Sequence, residues 1–107
     1  MRDKRCLLEQ AKIFKALGHP SRLLMAGALR DGEKCVCELR ELVGDDMSTV
    51  SKHLSILRNA GVVASEKRGA HIYYRLTMDC LGNFLTCTEK VIERKAGEAA
   101  QILEGLN

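Results

Sequence analysis

The stretch KCVCELRELVGDDMSTVSKHLSILRNAGVVASEKRGAHIYY, Lys34 to Tyr74, shows how this chain is built. Val36, Leu39, Leu42 and Val43 recur at helical spacing and predict a short helix. Gly44-Asp45-Asp46 breaks the pattern, and Asp46 stands where an N-cap belongs, with Ser48, Thr49 and Ser51 after it. A further helix is expected from there to about Ala60, closed by Gly61, with Val50, Leu54 and Leu57 facing inward. Val62–Ser65 and His71–Leu76 read as two strands, with Arg68-Gly69-Ala70 as the turn between them. Two helices around a tight turn, the second polar on one face, make a helix-turn-helix, and the hairpin makes a wing.

The flanks are helical. Leu7, Leu8, Ala11, Phe14 and Leu17 predict a first helix over Arg5–Leu17, stopped by Gly18-His19-Pro20. His19 can cap the next helix and Pro20 suits its first position. Leu23, Leu24, Ala28 and Leu29 mark that second helix, which Asp31-Gly32 ends. Asp79 is expected to cap a last helix with apolar positions Leu81, Phe84, Leu85, Val91, Ile92, Ala96, Ala99 and Leu103. The fold class is therefore mainly α with a small β-hairpin: five helices plus a wing, one domain over residues 1–107. With no Trp, two Phe and two Tyr, packing falls to Leu, Val, Ile and Ala. So small a core favours a dimer.

Net charge is +3, but its distribution says more. Asp31–Asp46 holds six acids and two bases; Met47–Arg75 holds five bases and one acid. A dimer presents that basic segment twice, as a phosphate-binding surface requires. No signal peptide pattern opens the chain and no apolar run nears the roughly 20 residues of a membrane span. A cytoplasmic protein without membrane contact is expected. No nucleophile–base or His–carboxylate spacing recurs, so neither an enzyme nor a required cofactor is expected.

Met47, Ser48, Thr49, Ser51, Lys52 and His53 fall on the outward face of the fourth helix. Small hydroxyls near a helix N-terminus reach base edges in a major groove or bond phosphate. Lys52 and Arg58 suit phosphate, and Lys67-Arg68 at the hairpin tip suits the flanking backbone. A solvated helix face beside an ordinary hairpin is the bland alternative for each residue alone. The order of helix, turn, polar helix and basic wing favours double-stranded DNA.

Five cysteines in such a chain point to metal, redox or core roles rather than a disulfide framework. Cys35 and Cys37 flank Val36 at the start of the third helix. Residues i and i+2 point about 200° apart in a regular helix but share a face in a strand. One ion can hold both sulfurs only where the backbone is extended or distorted. A helix N-terminus favours the thiolate form that binds metal. A soft ion that draws the sulfurs together is then expected to distort the first turn of the third helix and re-aim the fourth. Cys80 and Cys87 lie seven apart, about 10 Å along a helix, too far to chelate one ion as a pair. Singly, Cys6, Cys80 and Cys87 read equally as small buried hydrophobes.

The runs CVCEL (35–39), STVSKHLSILRNAGVV (48–63), KRGAHIYYRL (67–76) and ALGHPSRL (16–23) resemble the ArsR/SmtB family of winged-helix repressors. The resemblance spans about Lys12 to Leu76. It implies a homodimer, paired through the first and last helices, that binds an inverted-repeat operator and releases it when an effector binds. A CVC pair at this place is similar to arsenite-responsive and cadmium/lead-responsive members. It implies a metal site at Cys35 and Cys37, with As(III) foremost and Sb(III), Cd or Pb as other soft ions. Arg40 stands where arsenite sensors of the best-known type place a third Cys, and no long N-terminal arm brings cysteines as in the cadmium sensors. The third ligand is then expected from Cys87, Cys80 or Cys6. No His follows Leu76, which departs from the zinc pattern of the family's last helix. Two rivals stand beside this reading: a thiol redox or persulfide-responsive repressor, and a winged-helix protein-interaction module that binds no DNA.

Overall fold

The computed structural model describes residues 3–105. Helix α1 (Lys4–Leu17) starts at Asp3, whose carboxylate accepts the Cys6 N–H at 2.9 Å. His19 Nδ1 accepts the Ser21 N–H at 3.1 Å, and Pro20 opens α2 (Pro20–Ala28) as expected. A single 3-10 turn, Leu29–Asp31, leads through Gly32 into β1 (Lys34–Cys35). Helix α3 (Val36–Val43) ends on Gly44 at φ 84°, a left-handed conformation that glycine takes without a Cβ clash. Asp46 then caps α4 (Met47–Asn59), accepting the Thr49 N–H at 2.7 Å. Strands β2 (Val63–Arg68) and β3 (His71–Leu76) form the wing, and α5 (Leu81–Gly105) closes the described chain.

Met25, Leu39, Val50, Leu54, Leu57, Val62 and Leu81 are fully buried where α2, α3, α4 and the wing base meet. Each such side chain contributes about 1.5–3 kcal/mol on burial. Val50, Leu54 and Leu57 therefore face inward as their spacing predicts, which leaves the opposite side of α4 to solvent.

Three boundaries differ from the sequence reading. Strand β1 was not foreseen, because two residues are too few to display a period of two. It pairs antiparallel with β3 (Lys34 opposite Tyr74, Cys35 opposite Tyr73), giving a sheet of order β1-β3-β2. Strand β2 runs on to Arg68 rather than stopping at Ser65, since the ladder continues to the Arg68–His71 pair. Gly69, at φ 61°, takes the first position of the two-residue turn. The lead into α5 is held by backbone bonds, Leu81 N–H to the Met78 carbonyl at 3.1 Å among them, rather than by an Asp79 cap.

Helix α5 is about 37 Å long at 1.5 Å per residue. Only Leu81 of it is buried, so the molecule measures 63 × 38 × 23 Å. Phe84 meets Phe14 of α1 edge-on at 5.5 Å. Beyond that contact Val91, Ile92, Ile102 and Leu103 stay exposed, as do Leu7, Leu8 and Phe14 of α1. No described helix is long and apolar enough to cross a membrane.

Candidate nucleic-acid interface and thiol site

The free face of α4 carries Ser48, Ser51 and Lys52 in the open and Met47 and Thr49 half-buried. Hydrogen bonds from Thr49, the backbone N–H first, hold the Asp46 carboxyl below the usual carboxylate range. The cap is thus charged at neutral pH and fixes where the polar face begins. Arg58 lies exposed at the other end of α4 and reaches Ser65 Oγ of the wing at 3.4 Å.

His53 does not share that face. It is nine-tenths buried, because its ring turns toward α2. There Arg22 Nη1 donates to His53 Nδ1 at 3.1 Å, and the His19 ring lies 4.4 Å away. Burial first, then His19 and the Arg22 charge, push the His53 pKa below its ordinary value, partly offset by Asp45. Arg22 also donates through Nε to the Ala16 carbonyl at 2.6 Å and through Nη2 to the Lys15 carbonyl at 3.3 Å. His53 therefore ties α4 to the α1–α2 corner, and the expectation that it lies on the outward face is corrected.

The wing tip also differs. Lys67 is exposed as expected, but Arg68 is already engaged. Its guanidinium forms a two-pronged pair with Glu33 (Nη2–Oε2 2.7 Å), bonds Glu66 at 2.8 Å and lies 4.8 Å over the Tyr73 ring. The Arg68 bond holds the Glu33 carboxyl below its usual range. Arg68 thus clamps the hairpin to the segment before β1, and two carboxylates share its guanidinium. Exposed Arg75 on β3, not singled out from sequence as a contact, is a further wing cation.

The thiols converge. Cys35 is the N-cap of α3, with extended backbone (φ −75°, ψ 153°), while Cys37 lies inside the first turn. Because Cys35 sits outside the helix, its sulfur points back over that turn and accepts the Cys37 N–H at 3.2 Å. Glu38 returns the bond, accepting the Cys35 N–H at 3.1 Å, which completes a capping box. The two sulfurs are joined as a disulfide across a 5.4 Å Cα–Cα separation. Free thiols were expected here. The sulfurs meet because Cys35 is extended, one of the two backbone arrangements the spacing allowed, while α3 is regular from Val36.

The imidazole of His71, at the start of β3, comes within reach of the pair. One donor atom from each of Cys35, Cys37 and His71 lies within 4.8 Å of the others. Cys35 is buried, and Cys37 and His71 are exposed. Cys6, Cys80 and Cys87 are free and, among the described residues of one protomer, join no such group. The donor near the pair is therefore an imidazole of the wing rather than one of those three sulfurs. Two sulfurs and an imidazole, once the pair is reduced, fit a soft or borderline ion and not Mg²⁺ or Ca²⁺.

Comparison with known proteins places this arrangement. The profile described as bacterial regulatory protein, arsR family, matches residues 19–65, from the α2 cap to mid-β2. The HTH-type transcriptional regulator Rv0081 of Mycobacterium tuberculosis is 33% identical over 98 residues, 91% of this chain and 86% of that protein. The chain belongs to the ArsR family. The crystal structure of the transcriptional repressor BigR from Xylella fastidiosa superposes with a TM-score of 0.70 at 31% identity, covering 82% of this chain and 90% of that one. A cadmium resistance transcriptional regulatory protein CadC homolog of Staphylococcus aureus is 37% identical over 70 residues, 64% of this chain and 58% of that protein. The chain spans about 60% of the length of the first curated relatives it matches.

Within this ArsR-family frame, the sequence located the thiol pair, the capped α4 and the wing, but not what surrounds them. The signal for His71 was weak: a histidine two residues before Tyr73 shares that strand face only once the register is known. The Arg22–His53 tie and the Arg68–Glu33 clamp join residues 31 and 35 positions apart, which no local pattern reveals.

Proposed function

We propose that this chain is a homodimeric transcriptional repressor that grips an inverted-repeat operator in double-stranded DNA. It releases that operator when a thiophilic ion takes the Cys35 and Cys37 sulfurs. As(III) is one candidate effector, with Sb(III), Cd(II) and Pb(II) as the others. The observation on which this rests is the convergence of both sulfurs at the N-cap of α3, the helix packed against α4. Repression by one such domain accords with the similarity to the transcriptional repressor BigR, and a metal effector with the similarity to the cadmium resistance regulatory protein; we place the protein in the cytoplasm.

In this reading Ser48, Thr49 and Ser51 meet base edges or phosphate at the N-terminus of α4, with Met47 beside them. Lys52, Arg58 and Lys67 neutralise phosphates. The exposed apolar stripes of α1 and α5 bury each other across a two-fold axis. Cys35 and Cys37 hold the ion, which supplies charge and a fixed sulfur separation at the base of the reading unit.

A duplex recovered by selection from a random pool tests the proposal, using reduced protein. Binding weakens with salt in proportion to the phosphates neutralised. Arsenite, antimonite, cadmium or lead weakens it further, and Cys37→Ser removes that response. A protein that selects no duplex is an interaction module. One released equally by the ions with Cys37→Ser has its sensor elsewhere.

The Cys35–Cys37 disulfide favours one second reading, a redox-responsive repressor. Hydrogen peroxide would take two electrons and two protons from the thiols, leaving one disulfide and two waters. Release by peroxide, reversed by a dithiol and with no bound metal, identifies that case.

A further inference from the structure

We propose that His71 supplies the third ligand of the effector site, so that a soft divalent cation rests on two sulfurs and one imidazole nitrogen. That ion would tie the start of α3 to the wing. The inference rests on the thiol-pair reading above and adds the ligand that selects the ion.

Three features place His71 there. Its ring nitrogen lies with both sulfurs inside a 4.8 Å span. The ladder sets Cys35 opposite Tyr73, and His71 stands two residues before Tyr73 on the same strand face. Its ring lies edge-on to Tyr73 at 6.5 Å. The hairpin bearing it is clamped by Arg68, which pairs with Glu33 and covers Tyr73. Glu33 immediately precedes β1, so one ion pair holds both sides of the site in register.

A two-cysteine, one-histidine set suits Cd(II) or Zn(II), which accept imidazole and thiolate together and can add a solvent ligand. As(III) gains less from an imidazole than from a third thiolate. On binding, each thiol gives its proton to solvent and the liganding nitrogen holds none. No electrons move, so the pair is first reduced by a phosphine. Once bound, the ion joins the cap of α3 to β3, and the angle between wing and α4 becomes part of the effector response.

The experiment is a Cd(II) titration of the reduced full chain, read by thiolate-to-cadmium charge-transfer absorbance and chelator competition. X-ray absorption on the loaded protein counts the ligands. Two sulfurs plus lighter ligands are expected in the parent. His71→Ala should keep the thiolate band and lose affinity by at least about tenfold, the lower end of what loss of an outer-shell partner costs a metal site. His71→Cys should restore affinity, strengthen the band and respond to arsenite, and it serves as the test if the alanine variant does not fold. Three or four sulfurs in the parent, or affinity within twofold after His71→Ala, overturns the assignment of His71 alone. A reduced parent with no thiolate band overturns the thiol-pair reading beneath it.

Discussion

Arg22 joins three helices through one guanidinium, so its removal has a calculable effect. Arg22→Met keeps most of the apolar stem and deletes the bonds to Ala16, Lys15 and His53. The Ala16 and His53 bonds are part-buried, and the Lys15 bond is exposed. At about 1.5 kcal/mol each, the low end for a charged donor, the two part-buried bonds come to about 3 kcal/mol. The exposed bond adds little. With a urea slope of about 2 kcal/mol per molar, the unfolding midpoint should fall by about 1.5 M. The assay is urea unfolding followed by far-UV circular dichroism on reduced protein at one fixed concentration, because association shifts apparent stability. Arg22→Lys should not restore the midpoint, since an ammonium cannot reproduce the planar fork. A midpoint within about 0.3 M of the parent would refute the claim that Arg22 holds α4 to the α1–α2 corner.

The remaining predictions concern pH, salt and assembly. The folded pKa of His53 lies below the ordinary value of 6.5, so the unfolded chain binds the extra proton. Stability should be full above that value and fall as pH drops through it toward the folded pKa; urea midpoints across that window check this, and His53→Gln should flatten the trend. Lys67→Ala should lower the salt slope of DNA binding by about two units for the bound dimer, about one per protomer. Arg68→Ala should change that slope little and instead speed amide exchange along β2 and β3, because its charge serves Glu33 and Glu66. Ile92→Glu, on the exposed stripe of α5, should convert the dimer to monomer in sedimentation and weaken operator binding with it.

Local chemistry made most of the fold legible. Asp46, His19-Pro20 and Gly44 are helix signals that act within three or four residues, and each does in the structure what its type predicts. The inward face of α4 followed from Val50, Leu54 and Leu57, but the period of 3.6 left His53 at the margin of that face. Arg22, from another helix, gives its ring a part-buried hydrogen bond, and the His19 ring packs beside it. The ion pairs of Arg68 were hidden for a related reason. Its position in sequence marks a hairpin tip, while Glu33 opposite it becomes visible only after β1 joins the sheet. The thiol site was half legible. Spacing required that one cysteine lie outside regular helix, and Cys35 does so as an N-cap. The donor beside the pair depends on strand register, which a two-residue strand does not announce.

Coupling between the Cys35–Cys37 pair and the grip on DNA is tested most directly by reciprocity. Cd(II) affinity should be measured on the reduced protein, once free and once saturated with its selected duplex. Linkage requires the duplex to weaken cadmium binding by the same factor by which cadmium weakens duplex binding, about 5–150-fold for a coupling of ordinary size. Cadmium affinity that is equal in the free and DNA-bound protein would contradict the account.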